Sequence, residues 1–569
     1  MRGSRVVALA AASAGALGVA YLILPAMGSD LAAQVARADF FAAHGPTPVD
    51  LRWYGGVQQF GYSLLTQPAM ALIGVRPTGV LALVAAATLF AALLVRTRVP
   101  RPLLGSLVGV ATIAGNLVSG RITYGLGVAF GLAALLALTW RPAPSGQQVP
   151  TPAHSRLPLV LAGVGALLAS ATSPVAGLFV GLAGVALLLS RRYAEGLTLA
   201  VTAALPLGVT ALLFGDGGWM NISRTDTIRA TVTALLVAVL VGYRPVRVGA
   251  LLAAAGVVAA ALVHTPVGLN ATRLATMFAL PLLAAAAHPP TWLGPTRRTG
   301  RPAPPSSASP PPSPAAQPSP GSAAQAPSGG AMPQPARRRV GAVALTVLLG
   351  VVCWWQPPVV PADLRSIGDP TSDPGYFAPL RAELDQRGLT GRLEVPPTRN
   401  YWEAARLGEV PLARGWLRQA DIDRNPLFFT TVPGASGTGV PLTADSYRAW
   451  LDDNAVQYVA VPQAPLSWVG RAEAELVEGG LPYLTEVWSD RHWRLYAVTD
   501  PTPLVGTPGE LLRQDASSVT FRSTAAGVVL IRIRYNRWLT ITGGATVSAD
   551  NDWTAVTVPR AGTYTLSAQ

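Results

Sequence analysis

Two carboxylates lie beside a predicted membrane span near the start of the sequence. The stretch "GSDLAAQVARADFFAAHG" at residues 28–45 follows the apolar run "VVALAAASAGALGVAYLILPAM", and it contains Asp30 and Asp39. A positioned carboxylate can take the proton of a hydroxyl group and so make that hydroxyl a better nucleophile. The alternative for either acid is an ordinary charge at a helix start, where the helix macrodipole favours it.

Helical periodicity separates these two acids. At about 100° per residue, Asp30 shares one stripe with Gln34 and Arg37. Asp39 follows nine residues after Asp30 and therefore points about 180° away on the same helix. The two acids cannot form a catalytic pair on one helix. Asp30, at the mouth of the first span, is the first candidate for a catalytic role, and Asp39 is the second.

Several basic side chains near the predicted outer membrane face are candidates for binding a phosphate. Guanidinium binds phosphate bidentately, and an arginine at a span end on the side disfavoured by the charge rule calls for a partner. The candidates are Arg121 in "SGRITYG", Arg224 in "NISRTDTIR", Arg273 in "NATRLA", and His264. The alternatives are arginines that snorkel to lipid head groups and an ordinary loop histidine.

The composition indicates a membrane protein. Half of the 569 residues are hydrophobic and only 13% are charged, whereas soluble proteins carry about 25% charged residues. The chain has no lysine, and its net charge of +14 comes from arginines at the ends of apolar runs. We therefore attribute the charge to membrane topology and expect no nucleic-acid partner. The single cysteine, Cys353, excludes an intrachain disulfide, and no Cys/His spacing predicts a metal site.

Apolar runs suitable for membrane spans recur along the chain, since a spanning helix needs about 20 residues. The eleven candidates lie at 6–27, 78–95, 103–119, 122–140, 157–173, 174–190, 196–214, 228–242, 248–264, 273–288 and 340–356. Arginine is concentrated in alternate connections, which predicts a cytoplasmic N-terminus and a multi-pass protein of the cytoplasmic membrane. We expect the first run to be a retained span and not a cleaved signal peptide.

The predicted fold is a polytopic α-helical membrane protein with a C-terminal extracytoplasmic α/β domain that ends in a β-sandwich-like part. Short β-rich runs such as "GVVLIRIRY" and "WTAVTVP" indicate that last part. The predicted segments are a transmembrane module at 1–288 with a long first outer loop at 28–77, a disordered Pro-rich cytoplasmic linker at 289–338, a last transmembrane helix at 339–356, the α/β domain at 357–504 and the β-rich domain at 505–569.

One segment of the predicted outer domain is dense in groups that suit carbohydrate. The stretch "ARGWLRQADIDRN" offers an aromatic ring for stacking and several hydrogen-bonding groups. The alternative is a structural turn with a buried tryptophan. The candidate acceptor-binding residues are Arg414, Trp416, Gln419, Asp421 and Asn425. In the β-rich part, Trp538 and Trp553 could bind polysaccharide, although core packing is the alternative role for each.

The set of features resembles the GT-C superfamily of integral-membrane glycosyltransferases, including actinobacterial proteins of that architecture. A long first outer loop begins with an acidic residue in "SDLAAQ", many spans follow, and the last span leads to an outer domain. That domain contains "RNYWEAARLGEVPLARGWLRQADIDRNPLFF" and "YRAWLDDNAVQYVAVP", which are similar to text in such proteins. The adjacent acidic pair that is commonest in the family's first outer loop is not present here.

The resemblance implies transfer of a sugar from a polyprenyl-phosphate donor to a cell-envelope polysaccharide or glycolipid outside the cytoplasmic membrane. The family's acidic residue in the first outer loop acts as the base or positions the acceptor, and Asp30 matches it. Arginines that stabilise the departing lipid phosphate would be Arg121 and Arg273. Some relatives use a divalent cation, and the sequence leaves metal use open.

Two other classes of protein fit parts of this pattern. Many spans and breaks such as "SATSPVAG" are also found in transporters, but no internal repeat is visible and few ionisable residues fall at mid-membrane depth. A non-catalytic membrane scaffold for envelope assembly would share most of these sequence features. We favour the enzyme over both alternatives.

Overall fold

The computed structural model describes residues 3–140, 152–288, 334–435 and 439–568. The chain is mostly helical, with β-sheets concentrated toward its C-terminal end, as the sequence predicts. The predicted linker at 289–338 lies outside the described residues as far as residue 333. Several apolar helices make this a multi-pass membrane protein.

The N-terminal half of the chain is a bundle of helices. In order they are α1 Gly3–Ile23, α2 Leu31–His44, α3 Thr66–Ile73, α4 Val75–Arg96, α5 Pro102–Val118, α6 Ile122–Ala137, α7 Pro152–Thr172, α8 Pro174–Leu189, α9 Tyr193–Leu213, α10 Arg224–Leu240, α11 Arg244–Leu262, α12 Arg273–Ala286 and α13 Gln334–Trp355. Each predicted span overlaps one of these helices. Within the described residues, 5 helices are long and apolar enough to cross a membrane.

Small residues let the bundle helices approach each other closely. A side chain at Gly18 of α1 would lie 2.5 Å from Val80 of α4, and one at Gly105 of α5 would lie 2.4 Å from Ala285 of α12. Such contacts are the usual basis of helix association in lipid, where burial of apolar surface supplies no driving force. The bundle thereby fixes the helix ends that carry the polar groups described below.

The chain after α13 first forms an α/β unit. Its helices are α14 Pro361–Leu364, α15 Pro374–Arg387, α16 Glu403–Arg406, α17 Arg418–Arg424, α18 Ala444–Asp453 and α19 Trp468–Glu478. The first loop contributes a hairpin of β1 Val49–Asp50 and β2 Val57–Gln58. The α/β unit has its own strands, β3 Arg392–Glu394, β4 Val456–Pro462, β5 Leu484–Ser489 and β6 Trp493–Val498. They form a sheet in the order β3-β4-β6-β5, in which only β3 and β4 are parallel.

Two antiparallel sheets follow and share one apolar core. Their strands are β7 Gly509–Gln514, β8 Ser518–Ser523, β9 Gly527–Arg534, β10 Leu539–Ile541, β11 Thr546–Asp550, β12 Trp553–Val558 and β13 Gly562–Ala568. One sheet has the order β10-β13-β8-β7 and the other the order β11-β12-β9. Alternate side chains point inward, as expected when one face of each sheet is covered. Phe521, Ile531 and Val556 are among the fully buried core residues.

The first loop joins the helical bundle to both C-terminal units. Leu51 lies in the core of the sandwich, and its amide donates to the carbonyl of Ala516 at 2.8 Å. The Tyr54 hydroxyl donates to the carbonyl of Gly415 at 2.6 Å, so the α/β unit is held as well. The carbonyl of Gly55 accepts from the amide of Arg534 at 2.8 Å. A loop of the N-terminal half is thus part of the C-terminal cores.

This junction can be tested with Leu51→Ala. Because Leu51 is fully buried in the sandwich, we expect the variant to lose about 2–5 kcal/mol of stability. Leu512→Ala on β7 is the matched control, since Leu512 is 44% exposed. Thermal or denaturant unfolding of the purified protein in detergent measures both. Equal stability of the two variants would contradict the burial of Leu51 in the sandwich.

Candidate functional site

Asp30 lies at the start of α2 and is held by two arginines. Its Oδ2 accepts from Arg121 Nε at 3.3 Å and from Arg273 Nη2 at 3.4 Å. Its Oδ1 accepts from Ser29 Oγ at 3.2 Å. Asp30 occupies the N-cap position of α2, yet its side chain makes no capping hydrogen bond. The carboxylate therefore does not serve as an ordinary helix cap.

The two arginines also lie at helix starts. Arg121 is the N-cap residue of α6, and Arg273 is the first residue of α12. The N-terminal end of a helix carries partial positive charge, so it disfavours cations and attracts anions. Three such ends and two guanidinium groups thus converge on one carboxylate. The formal charge of the three side chains is one positive unit, which favours a further anion.

Close backbone contact sets the position of Asp30 against Arg121. The Asp30 amide donates to the carbonyl of Ser119 at 3.0 Å. Gly120, with φ of +76°, comes so near that an added Cβ would lie 2.4 Å from the amide nitrogen of Leu31. Gly28, with φ of +105°, would likewise place a Cβ 2.3 Å from the carbonyl oxygen of Val118. Both glycines are required by these close approaches and by their positive φ.

The predicted polar stripe of α2 continues into the protein. Gln34 donates through Nε2 to the Tyr62 hydroxyl at 2.8 Å, and its Oε1 accepts from Thr123 Oγ1 at 2.7 Å. Arg37 lies over the Tyr62 ring at 4.3 Å and donates to Gln59 Oε1 at 3.3 Å. Burial raises the pKa of Tyr62, and the negative charge of Asp30 adds to that effect. Tyr62 is therefore a neutral hydroxyl near Asp30.

Asp39 lies on the other side of α2. Its side chain is exposed, whereas Asp30 is buried. Among the described residues, Asp39 takes part in no ion pair. The helix therefore holds the two acids apart, and Asp30 alone meets the arginines.

The other two predicted phosphate ligands lie at different contacts. Arg224 is exposed at the start of α10. His264 is exposed and stacks on Trp219, with ring centroids 3.9 Å apart. In the described part of the chain, neither forms an ion pair with Asp30. Their predicted role in phosphate binding stays a prediction.

The predicted acceptor-binding segment divides into two groups in the structure. Trp416 donates through Nε1 to the carbonyl of Ser29 at 3.0 Å, directly before Asp30, and meets the Tyr62 ring edge-to-face at 6.4 Å. Gln419 donates through Nε2 to the carbonyl of Pro266 at 3.3 Å, in the segment that leads to α12. Both side chains are half-buried. These two residues reach the backbone that carries the site.

The remaining three candidates of that segment are in the interior of the α/β unit. Arg414 donates to Asp421 Oδ1 at 3.2 Å and to Glu473 Oε2 at 2.8 Å. Asn425 donates to Asp421 Oδ1 at 2.9 Å. Burial raises the pKa of Glu394, which also accepts from Arg414. The network holds the unit together, and acceptor binding by Arg414, Asp421 and Asn425 stays a prediction.

Sequence reasoning missed Asp363 altogether. This buried residue lies in α14, and its Oδ1 accepts from the Ser29 amide at 3.0 Å. Its Oδ2 accepts from Ser119 Oγ at 2.6 Å. The local sequence "VVPADLRS" does not indicate a role for this acid, because its partners are distant in sequence. Ser29 is 334 positions away and Ser119 is 244 positions away.

A very small cavity of about 10 Å³ lies between α4, α5 and α6, next to Arg121. Its lining is mostly apolar, with Leu83 and Ile113 on its walls and Asn116 as its other polar residue. Asp30 is not among its lining residues, so Arg121 stands between the cavity and the carboxylate. Trp538, one of the predicted polysaccharide ligands, stacks on Phe214 at the end of α9.

The donor set at Asp30 does not fit a divalent cation. Both guanidinium groups lie within 3.4 Å of the same carboxylate oxygen and would repel a metal ion there. In the described ranges, no group of three or more His, Cys, Asp or Glu side chains is placed to hold a metal ion.

No protein-family model matches the chain, and no curated protein matches it. Some solved structures do. The arabinofuranosyltransferase AftD from Mycobacteria is similar with a TM-score of 0.43 and 17% identity, over 92% of this chain and 41% of that one. A mutant form of AftD gives a TM-score of 0.45 and 14% identity, over 99% of this chain and 60% of that one. This chain therefore spans less than two thirds of the length of AftD.

ArnT from Cupriavidus metallidurans is similar with a TM-score of 0.42 and 12% identity, over 87% of this chain and 98% of that one. At these scores the likeness carries no functional argument, which has to come from the contacts of the site itself.

A half-buried acid links the end of α9 to the first loop. Asp216 accepts from the Gln58 amide at 2.9 Å through Oδ1 and at 3.1 Å through Oδ2, and Arg424 approaches to 3.7 Å. Burial raises the pKa of Asp216 to about 6. An unfolded aspartate has a pKa of about 3.9. Between these values the folded chain keeps a proton that the unfolded chain has lost, so this group's contribution to stability falls as pH rises.

Asp216→Asn should remove that pH dependence. Between about pH 4 and pH 6 the wild type should lose up to about 3 kcal/mol more stability than the variant, and the difference should level off above pH 6. Thermal unfolding across pH 4 to 7.5 measures this, with Asp226→Asn as the control acid. If the Asp216→Asn curve runs parallel to the wild type, the assignment of this pKa is wrong.

Proposed function

We propose that this chain is a membrane glycosyltransferase that moves a sugar from a polyprenyl-phosphate donor to a cell-envelope glycan or glycolipid, with Asp30 as the base. One observation carries the proposal. The predicted catalytic acid and two predicted phosphate ligands meet at a single carboxylate oxygen, with distances of 3.3 and 3.4 Å. These residues come from three separate parts of the chain.

The charges at this point suit a lipid-linked phosphate. Arg121 and Arg273 offer planar donors, and the ends of α2, α6 and α12 add positive potential. A negative group that arrives from the bilayer would lower the repulsion among these elements. The arginines would also stabilise the charge that grows on the phosphate as the sugar departs.

The resting ion pairs give Asp30 a route to act as a base. Donor phosphate competes with Asp30 for the two guanidinium groups, which frees a carboxylate oxygen. That oxygen accepts the proton of the acceptor hydroxyl as its oxygen forms a bond to the anomeric carbon. The bond from that carbon to the phosphate oxygen breaks, and polyprenyl phosphate leaves with the electron pair. These reaction steps use only side chains of this protein and no metal ion.

The acceptor would approach from the C-terminal units. Trp416 and Gln419 already contact the backbone beside Asp30 and before Arg273, and each is half-buried. An aromatic ring with a hydrogen-bonding neighbour suits a sugar. The alternation of arginine along the sequence predicts that this side lies outside the cytoplasm, with the N-terminus inside. The site would then lie at the outer surface of the cytoplasmic membrane.

A non-catalytic membrane scaffold is the second candidate. Both oxygens of Asp30 are already bound, and the cavity beside Arg121 does not include Asp30. In that case the ion pairs would only join three helix ends. Substitution of Asp30 separates these two functions, because a scaffold has no turnover to lose.

The first test uses Asp30→Asn, which keeps the shape of the side chain and removes the base. With radiolabelled polyprenyl-phosphate sugars and envelope glycan acceptors, we expect kcat to fall by about 10²–10⁴-fold. Asp39→Asn is the matched control on the opposite side of α2 and should keep nearly full activity. Full transfer by Asp30→Asn, or loss only in Asp39→Asn, would exclude Asp30 as the base.

The second test concerns the phosphate ligands. Arg121→Gln and Arg273→Gln each remove a charged hydrogen-bond donor, so affinity for a polyprenyl phosphate should fall by about tenfold to a hundredfold. Arg224→Gln is the control, because the structure places Arg224 elsewhere. Binding can be measured by thermal stabilisation or calorimetry in detergent. Unchanged affinity in both site variants would contradict the phosphate assignment.

A further inference from the structure

The geometry points to Asp363 as a positioning residue that holds Asp30 against Arg121. The inference rests on the proposed function for its catalytic consequence. Asp363 forms hydrogen bonds with Ser29 and Ser119, and not with Arg121 or Arg273. It is therefore a positioning residue and not a catalytic residue.

Asp363 bridges the two loops that carry the ion pair. Its Oδ1 accepts from the amide of Ser29, the residue before Asp30, and its Oδ2 accepts from Ser119 Oγ, two residues before Arg121. A carboxylate accepts hydrogen bonds through both of its oxygens at once. The two hydrogen bonds therefore set the spacing between these loops.

Ser366, two residues after the end of α14, adds to this bridge. Ser366 Oγ accepts from the Gly28 amide at 3.1 Å and donates to the carbonyl of Asp363 at 2.6 Å. All of these groups are buried. The amides of residues 28 and 29 thus have their only described partners in the segment that follows α13. Since that segment leads into the α/β unit, the position of Asp30 depends on where that unit sits.

Asp363 is buried, and both of its side-chain oxygens accept a hydrogen bond. A buried carboxylate without such donors is costly, so the carboxylate and its two donors depend on one another. An asparagine at this position keeps both contacts, because its oxygen can accept from the Ser29 amide and its amide group can donate to Ser119 Oγ. An alanine removes both contacts.

Asp363→Ala tests the bridge directly by amide hydrogen exchange in nanodiscs. We expect exchange in residues 28–31 and 118–121 to speed up by about tenfold, while the 49–58 segment stays unchanged. Asp369→Ala is the matched control. Asp369 is also buried in this segment, but its bonds run to Thr371 and Asn400. Equal exchange in the two variants would overturn the inference.

Turnover supplies the functional readout. Per folded molecule, kcat should fall by about tenfold to a hundredfold in Asp363→Ala, because a small displacement of a base is costly. Asp369→Ala should keep its kcat even where it lowers the thermal stability. A purely structural role for Asp363 would lower stability and leave kcat unchanged, and that result would also overturn the inference.

Ser119→Ala is a milder substitution that tests the same bridge if the Asp363 variant does not fold. It removes one donor to Asp363 and should give a smaller change in the same direction. Combined with Asp363→Ala, it should add little, because both substitutions break the same hydrogen bond. Additive effects on kcat would contradict the bridge. If the wild type transfers no sugar from any donor, the proposed function fails, while the exchange experiment still decides whether Asp363 holds the two loops.

Discussion

The sharing of Asp30 Oδ2 by two guanidinium groups is the interaction on which the rest of the site depends. Arg121 and Arg273 lie at helix ends whose partial charge is also positive. Without a negative group between them, these elements would repel one another. An anion is therefore a structural requirement here, and Asp30 supplies it in the absence of a ligand. A site that needs an anion can exchange one for another, which is how a structural ion pair becomes a binding site.

The segments that carry Asp30 and Arg121 also lie in close backbone contact. Gly28 and Gly120 allow backbone contact that no larger residue permits at their positive φ values. The first loop then runs outward to the sandwich and the α/β unit. The segment that begins this loop is held by the chain after α13, because the Ser29 carbonyl accepts from Trp416 and the Ser29 amide donates to Asp363.

Hydropathy and residue type predicted much of the fold. Apolar runs predicted the positions of the bundle helices, and the β-rich runs after residue 505 predicted the C-terminal sheets. Asp30, Arg121 and Arg273 followed from charge beside apolar runs. Arg224 and His264 followed from the same logic, but the local pattern does not say which helix ends meet. Three-dimensional proximity separates these two groups.

The segment around α17 shows another limit of sequence reasoning. Trp416 and Gln419 face the bundle, whereas Arg414 and Asp421 face the interior of the α/β unit. This short segment has no regular period from which inward and outward positions could be read. Asp363 could not be predicted for a related reason. Its hydrogen bond with Ser29 spans 334 positions, and the residues around Asp363 in the sequence give no indication of it.

The first loop also has a consequence for how the molecule is made. Arg534 Nε donates to the carbonyl of Tyr54 across 480 positions of sequence. During synthesis the loop emerges 480 positions before this partner, so it waits while the helices between them are made and inserted. Contacts of such high sequence separation form slowly. The first loop therefore completes its contacts with the sandwich only once β9 has been made, after the bundle helices that precede it.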